Sequence, residues 1–179
     1  MSTTTPHEPV GQASDREMII SRTFDAPREL VFETWIQPEH VSQWWGPAGF
    51  TNPVCELDVR RGGVIRIEMH APDGTIFPMT GVFDEVVPPA RLVFTSAPEG
   101  KAATTVPSVK DCPLTSQWIR TTVTFAAQAN KTVLTLRAQL LTATAEESLA
   151  CLDGMKAGWN GSLERLDEHL AVASTSPQK

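Results

Sequence analysis

The sequence predicts one α+β domain in which an antiparallel β-sheet is covered by a long C-terminal α-helix. Residues 62–95 predict three strands joined by two short turns. An apolar stripe with helical 3/4 spacing follows near the C-terminus and comprises Leu152, Met155, Trp159, Leu163, Leu166 and Leu170. With 179 residues, the chain is long enough to bury one sizeable core.

The strand Val64–His70 shows the alternation of a half-buried strand. We expect a buried face formed by Ile65, Ile67 and Met69, and a largely exposed face formed by Arg66, Glu68 and His70. Residues 72–74, Pro-Asp-Gly, supply a turn after it. The pair Pro88-Pro89 ends the next strand, because proline cannot donate a ladder hydrogen bond.

The other elements follow in order along the chain. After a first strand near Met18–Phe24, Asp25 is predicted to cap a helix that runs to about Ile36, with Pro27 in its first turn. A second short helix starts at Pro38 and ends at Trp44-Trp45. Further strands are predicted near Val54–Val59, Ile76–Val87, Arg91–Thr95, Trp118–Ala126 and Thr132–Leu141.

The final helix is predicted from residue 145 to about 171, after a capping box at Thr144–Glu147. Three glycines fall roughly opposite its apolar stripe, namely Gly154, Gly158 and Gly161. They indicate either a soft segment that admits a ligand or the close approach of a loop or partner, and both interpretations stay open. Residues 1–15 and 173–179 are predicted to be disordered tails around a single domain at 16–172.

Composition excludes several classes of function. A net charge of −6 and the lack of a basic cluster argue against nucleic-acid partners. No apolar run is long enough for membrane insertion, and the polar N-terminus is no signal peptide, so a cytoplasmic protein is expected. Neither the histidines nor the cysteines have metal-ligand spacing. Reduced and mostly buried thiols are expected at Cys55, Cys112 and Cys151.

Several motifs carry a family resemblance. They are GG at 62–63, PDGT at 72–75, FPMTG at 77–81, Glu85 and PPARLVFT at 88–95, flanked by similar pieces at 24–47 and 158–170. This set resembles the Hsp90-ATPase-activator-homologue (AHSA1-like) branch of the START / Bet v 1-like (SRPBCC) superfamily over Glu17 to Leu170. The segment Ser96–Gln117 departs from it, being longer and richer in proline and threonine.

The resemblance implies a helix-grip fold, in which a curved antiparallel β-sheet wraps around a long C-terminal α-helix, with two short helices after strand 1. It also implies an apolar ligand in a cavity between sheet and helix, without a cofactor. Methionine adapts to varied shapes, and tryptophan joins a large apolar body to one N–H donor. The candidate ligand-binding residues are Trp35, Trp45, Phe50, Met69, Met79, Phe94, Met155 and Trp159.

Two other functions stay open. Relatives of this fold include aromatase/cyclase-like enzymes. A polar pair facing the cavity would favour such an enzymatic function. The row Arg66, Glu68 and His70 has acid–base chemistry, but it is expected on the solvated face. The family name also implies a co-chaperone-like regulator of Hsp90, which we place third. The ligand and the catalytic residues are unknown from the sequence, and a homodimer stays open.

Overall fold

The computed structural model describes residues 17–98, 118–141 and 145–175. The strands are β1 (Glu17–Phe24), β2 (Thr51–Leu57), β3 (Val64–His70), β4 (Ile76–Val87), β5 (Arg91–Pro98), β6 (Ile119–Gln128) and β7 (Lys131–Leu140). The helices are α1 (Arg28–Ile36), α2 (Pro38–Trp44) and α3 (Ala145–Thr175). The strands form one antiparallel sheet in the order β1-β7-β6-β5-β4-β3-β2.

This arrangement confirms the predicted helix-grip fold. Strands β2 to β6 each pair with the next strand in the chain, and β1 pairs with β7. Helix α3 is continuous and extends the predicted helix to Thr175. Its Leu163, Leu166 and Leu170 are buried in the core that the sheet encloses, together with α1 and α2.

The start of α1 differs from the prediction. Pro27, not Asp25, occupies the N-cap position, and no side chain caps the helix. Asp25 instead lies at the surface with its carboxylate 3.7 Å from the ammonium of Lys131. Proline suits this position because its missing N–H would have no partner inside the helix. The predicted capping box of α3 cannot be compared, since Thr144 lies outside the described residues.

Strand β3 follows its predicted alternation with two corrections. Ile65 and Ile67 are buried and Arg66 is exposed, but Met69, which was expected to be buried, is only partly buried because it borders the cavity described below. Glu68 and His70 are only half-buried, not largely exposed, with side chains 22% and 32% accessible. The reason is that these side chains cover one another. One carboxylate oxygen of Glu68 lies 3.0 Å from Nη2 of Arg66, and the other lies 3.6 Å from Nε2 of His70. This charged row lies on the face of the strand that points away from α3.

The cysteines correct a second expectation. Cys151 is buried and disulfide-bonded rather than reduced. Cys55 is a free thiol, and burial together with the nearby Glu39 raises its pKa to about 11. It is therefore a poor nucleophile at neutral pH. Cys112 lies outside the described residues, as do most of the predicted loop Ser96–Gln117, whose first three residues continue β5, and the N-terminal tail 1–15.

Within the described ranges, no helix is both long enough and apolar enough to cross a membrane.

Candidate functional site

A two-lobed cavity lies between α3 and the concave face of the sheet. The helix lobe, of about 200 Å³, is bounded by α3 and by strands β3 to β6. The strand lobe, of about 170 Å³, lies beside it towards Phe50 and Phe77. The lobes share part of their lining, namely Pro47, Met69, Met79, Ser96 and Ile119. The two lobes are therefore neighbours with a shared wall, which includes the flexible thioether side chains of Met69 and Met79.

On the helix side, the space exists because α3 carries glycines there instead of larger residues. Gly154 and Gly158 line the helix lobe, which corrects their predicted position on the back of the helix. The cavity-facing arc of α3 is wider than its leucine stripe and turns these glycines inward. A Cβ atom at Gly158 would meet no atom within 4 Å. Gly161 fits the alternative of a close approach, because its Cβ would lie 3.7 Å from Cα of Pro47.

Small residues lie on the sheet side as well, where Ser96 and Thr121 line the helix lobe and pair with small neighbours. Gly81 of β4 is paired with Ser96 of β5, and Thr121 of β6 is paired with Ala138 of β7. A Cβ at Gly81 would lie 2.5 Å from the carbonyl oxygen of Thr95, so only glycine fits this register. Short side chains on both facing walls leave a gap that the larger residues around it do not fill.

The structure brings most of the predicted ligand residues to this cavity. Trp45, Phe94, Met155 and Trp159 line the helix lobe, Phe50 lines the strand lobe, and Met69 and Met79 line both. Trp35 lines neither lobe. Its indole ring stacks on Trp159 with centroids 6.0 Å apart and planes at 16°, so it supports the wall from behind. Their roles in ligand binding stay predictions.

Three hydroxyl groups at the cavity were missed by the sequence analysis. They belong to Ser96, Thr121 and Ser162, and all three residues are buried. Ser96 lies two residues beyond Phe94 and shares its face of β5, so strand alternation alone could have found it. Thr121 depends on the β5–β6 register, which the sequence does not give.

The chain entering β2 is clamped to α3 beside the cavity. This mouth segment, residues 45–50, contributes Trp45, Gly46, Pro47 and Phe50 to the lining. Nη1 of Arg165 donates to the carbonyl oxygens of Trp45, Gly46 and Pro47 at 3.1, 3.0 and 3.0 Å. Its Nη2 donates to the carbonyl of Gln43 at 2.7 Å. Burial lowers the pKa of Arg165.

Ser162 adds a second link between α3 and the mouth segment. Its hydroxyl accepts a hydrogen bond from the backbone N–H of Gly46 at 3.1 Å. The same hydroxyl donates to the carbonyl of Gly158, also at 3.1 Å. The described residues at this end of the cavity thus join the mouth segment to α3 through one cation and one hydroxyl.

A histidine pair joins α2 to α3 one helical turn beyond Arg165. Nδ1 of His40 lies 2.7 Å from Nε2 of His169, which is a hydrogen bond when one of the two rings is neutral. Burial, followed by the charge of His40, lowers the pKa of His169. Protonation of both rings would place two positive charges in contact and remove the acceptor.

This pair predicts a loss of stability on acidification. Because the pKa of His169 is lower in the folded than in the unfolded chain, its contribution is present above the ordinary histidine pKa and is lost as the pH falls below it. We expect the urea concentration at the unfolding midpoint to decrease as the pH is lowered from about 7.5 to about 5.5. The decrease should be smaller in His169→Gln, which keeps a hydrogen-bonding side chain. Equal pH dependence in both proteins would contradict this role.

The comparisons with known proteins agree with the fold. Residues 25–171 match the model of the family described as Activator of Hsp90 ATPase homolog 1-like protein. The chain therefore belongs to this AHSA1-like family. No curated protein is a significant match.

Solved structures share the fold at low sequence identity. A protein from Nitrosomonas europaea is 23% identical with a TM-score of 0.72, covering 92% of this chain and 100% of its own. One from Rhodobacter sphaeroides is 20% identical with a TM-score of 0.73, at 93% and 99% coverage. The AHSA1 protein from Silicibacter pomeroyi is 22% identical with a TM-score of 0.67, at 88% and 99% coverage.

Proposed function

We propose that this protein binds an apolar small molecule in the two-lobed cavity. The observation that carries the proposal is the cavity itself, whose described lining consists of aromatic, methionine, isoleucine, proline and small side chains. Transfer of apolar ligand surface out of water into such a space contributes about 25 cal/mol per Å². Gly154 and Gly158 of α3 keep the space open, because a larger side chain at either position would enter it.

The size of the cavity indicates the size of the ligand. An engineered apolar cavity of about 150 Å³ in another protein holds one benzene ring. On that scale the helix lobe takes a molecule of one to two rings, and the two lobes together take a larger bicyclic molecule or a short acyl chain. Met69 and Met79, which lie between the lobes, are flexible enough to fit either shape.

Binding is better supported than catalysis on the same fold. Acid–base catalysis needs a titratable group within hydrogen-bonding reach of the substrate. None of the described lining residues is titratable, and the charged row of β3 lies on the other face of the sheet. The three cavity hydroxyls are polar, but they do not ionise near neutral pH and so supply no general acid or base by themselves. A role as an Hsp90 regulator has no separate support in the described surface.

The wider setting of the protein stays a prediction. We expect an apolar small molecule as the partner, with no nucleic acid and no membrane insertion, and a homodimer stays open. A cytoplasmic location is still our expectation from the sequence. The disulfide at Cys151 weighs against it, because disulfides are rare in reducing compartments.

A fluorescence titration tests the proposal. N-phenyl-1-naphthylamine, an uncharged dye that brightens in apolar sites, should bind the purified protein saturably. Met155→Trp should weaken that binding, because the larger ring enters the helix lobe. Its stability cost should stay below the roughly 1–3 kcal/mol of overpacking a filled core. Native mass spectrometry of freshly purified protein should show a co-purified ligand.

Lys156→Trp is the matched control, since Lys156 is the next residue on α3 and is exposed. It should leave dye binding unchanged. No saturable response in the wild-type protein, together with strong destabilisation by Met155→Trp, would mean that these side chains are ordinary core. The function would then lie elsewhere.

A further inference from the structure

Two hydroxyl groups on the sheet side of the cavity are left unexplained by the binding of a purely apolar molecule. Ser96 and Thr121 are only 5% and 1% exposed, and both line the helix lobe. Neither hydroxyl has a hydrogen-bond partner within the part of the chain that the structure describes. Buried polar groups are nearly always hydrogen-bonded in folded proteins. Both oxygens are accessible from the cavity, so water or a ligand that occupies the helix lobe can hydrogen-bond to them.

The third cavity hydroxyl is already engaged. Ser162 accepts from the N–H of Gly46 and donates to the carbonyl of Gly158. The unused hydrogen-bonding capacity of the described hydroxyls is therefore concentrated on the sheet side of the helix lobe, opposite α3.

Strand register places the hydroxyls of Ser96 and Thr121 on the same face of two neighbouring strands. Thr121 is paired with Phe94, and Ser96 is paired with Ile119. The two residues are therefore diagonal neighbours on one face of adjacent strands, about 7–8 Å apart between backbones. Side chains that point into the same space from these positions leave room for one small polar group between them. Serine and threonine hydroxyls both donate and accept, so a carbonyl or a hydroxyl suits them equally.

The described lining of the cavity offers no partner for a charge. No described residue that lines either lobe is ionisable. An ionised carboxylate placed there would lose its water without gaining a cation, which is strongly unfavourable. The described lining thus disfavours fatty-acid anions and other charged ligands and favours uncharged apolar molecules.

We propose that the cavity selects uncharged apolar molecules carrying one carbonyl or hydroxyl group, which hydrogen-bonds to Ser96 and Thr121. This inference rests on the proposed function and specifies its ligand class. The apolar body of the ligand lies against the methionines and aromatic rings, and its polar group faces the sheet. The two hydroxyls then determine specificity rather than most of the affinity.

Three ligands of one shape test this inference by competition with N-phenyl-1-naphthylamine. They are 2-acetylnaphthalene, with a carbonyl; 2-ethylnaphthalene, without a polar group; and 2-naphthoate, which is ionised near neutral pH. We expect the ketone to bind roughly five- to tenfold more tightly than the hydrocarbon, as one net hydrogen bond implies. The carboxylate should bind most weakly. Thr121→Val, which keeps the side-chain shape, should reduce the advantage of the ketone. Combination with Ser96→Ala should reduce it to about onefold.

Each other outcome contradicts the inference in a recognisable way. If 2-naphthoate competes as well as the ketone, the site is not selective for neutral ligands. If the advantage of the ketone survives in the double variant, the two hydroxyls do not contact it. If the hydrocarbon and the ketone displace the dye equally from the wild-type protein, apolar binding stands and the polar subsite is wrong. Failure of the dye itself to bind would overturn the proposed function as well.

Discussion

Replacement of Gly158 by leucine is expected to weaken ligand binding by at least about tenfold, while the protein becomes slightly more stable. Gly158 lines the helix lobe, and a Cβ at this position has open space around it. A leucine side chain would therefore extend into the cavity without a clash and occupy volume that the ligand needs. Helix propensity favours leucine over glycine by up to about 1 kcal/mol. Dye titration and urea denaturation measure the two effects.

Ala157→Leu is the control for this substitution. Ala157 precedes Gly158 on α3 but is exposed, so the same side chain is added on the solvent side. It should leave binding unchanged. Unchanged binding in Gly158→Leu would show that the ligand does not use the helix lobe. Strong destabilisation by Gly158→Leu would show that the space beside α3 is not available to a side chain.

The sequence was enough to predict the fold because its signals are local. The alternation in Val64–His70 identifies a strand and its buried face, and the stripe from Leu152 to Leu170 identifies the helix. The family resemblance then implied how sheet and helix combine. The error at Asp25 is local too, since Asp25 and Pro27 both suit a helix start and only the backbone path decides between them.

The cavity was less predictable than the fold, because it arises where side chains are small or absent. Large apolar residues such as Met155 and Trp159 were assigned to the cavity through the family resemblance, and both line it. The gap they surround is lined by Gly158 on the helix side and by Ser96 and Thr121 on the sheet side, and no pattern in the sequence brings these positions to one cavity. Partial burial of Glu68 likewise depends on ion pairs that alternation does not show.

The link between Arg165 and the mouth segment was also beyond the sequence. Residues 43–47 and Arg165 are far apart in the chain, and an arginine in a helix is ordinarily a surface residue. The mouth segment has no regular structure of its own between α2 and β2. Its carbonyl groups need donors, and only the packing of α2 against α3 brings the guanidinium to them.

Replacement of Arg165 by methionine is expected to lower the free energy of unfolding by about 2–4 kcal/mol. One guanidinium donates to four carbonyls, at Gln43, Trp45, Gly46 and Pro47. Hydrogen bonds from a charged donor contribute roughly 1.5–3 kcal/mol each when counted singly, and water replaces part of the loss at this half-buried site. Urea denaturation measures the change. Arg61→Met, which removes an exposed arginine, should change stability by less than about 0.5 kcal/mol.

Arg165→Lys separates the geometry of the clamp from its charge. Lysine keeps the positive charge near the C-terminus of α2, but an ammonium is a compact point charge and cannot reproduce the fork that spans four carbonyls. We expect it to recover less than half of the lost stability. Because the mouth segment borders both lobes, the dye should also dissociate faster from both Arg165 variants. Full recovery by lysine would mean that charge alone holds α2 to α3. An unchanged dissociation rate in Arg165→Met would mean that the mouth segment does not control access to the cavity.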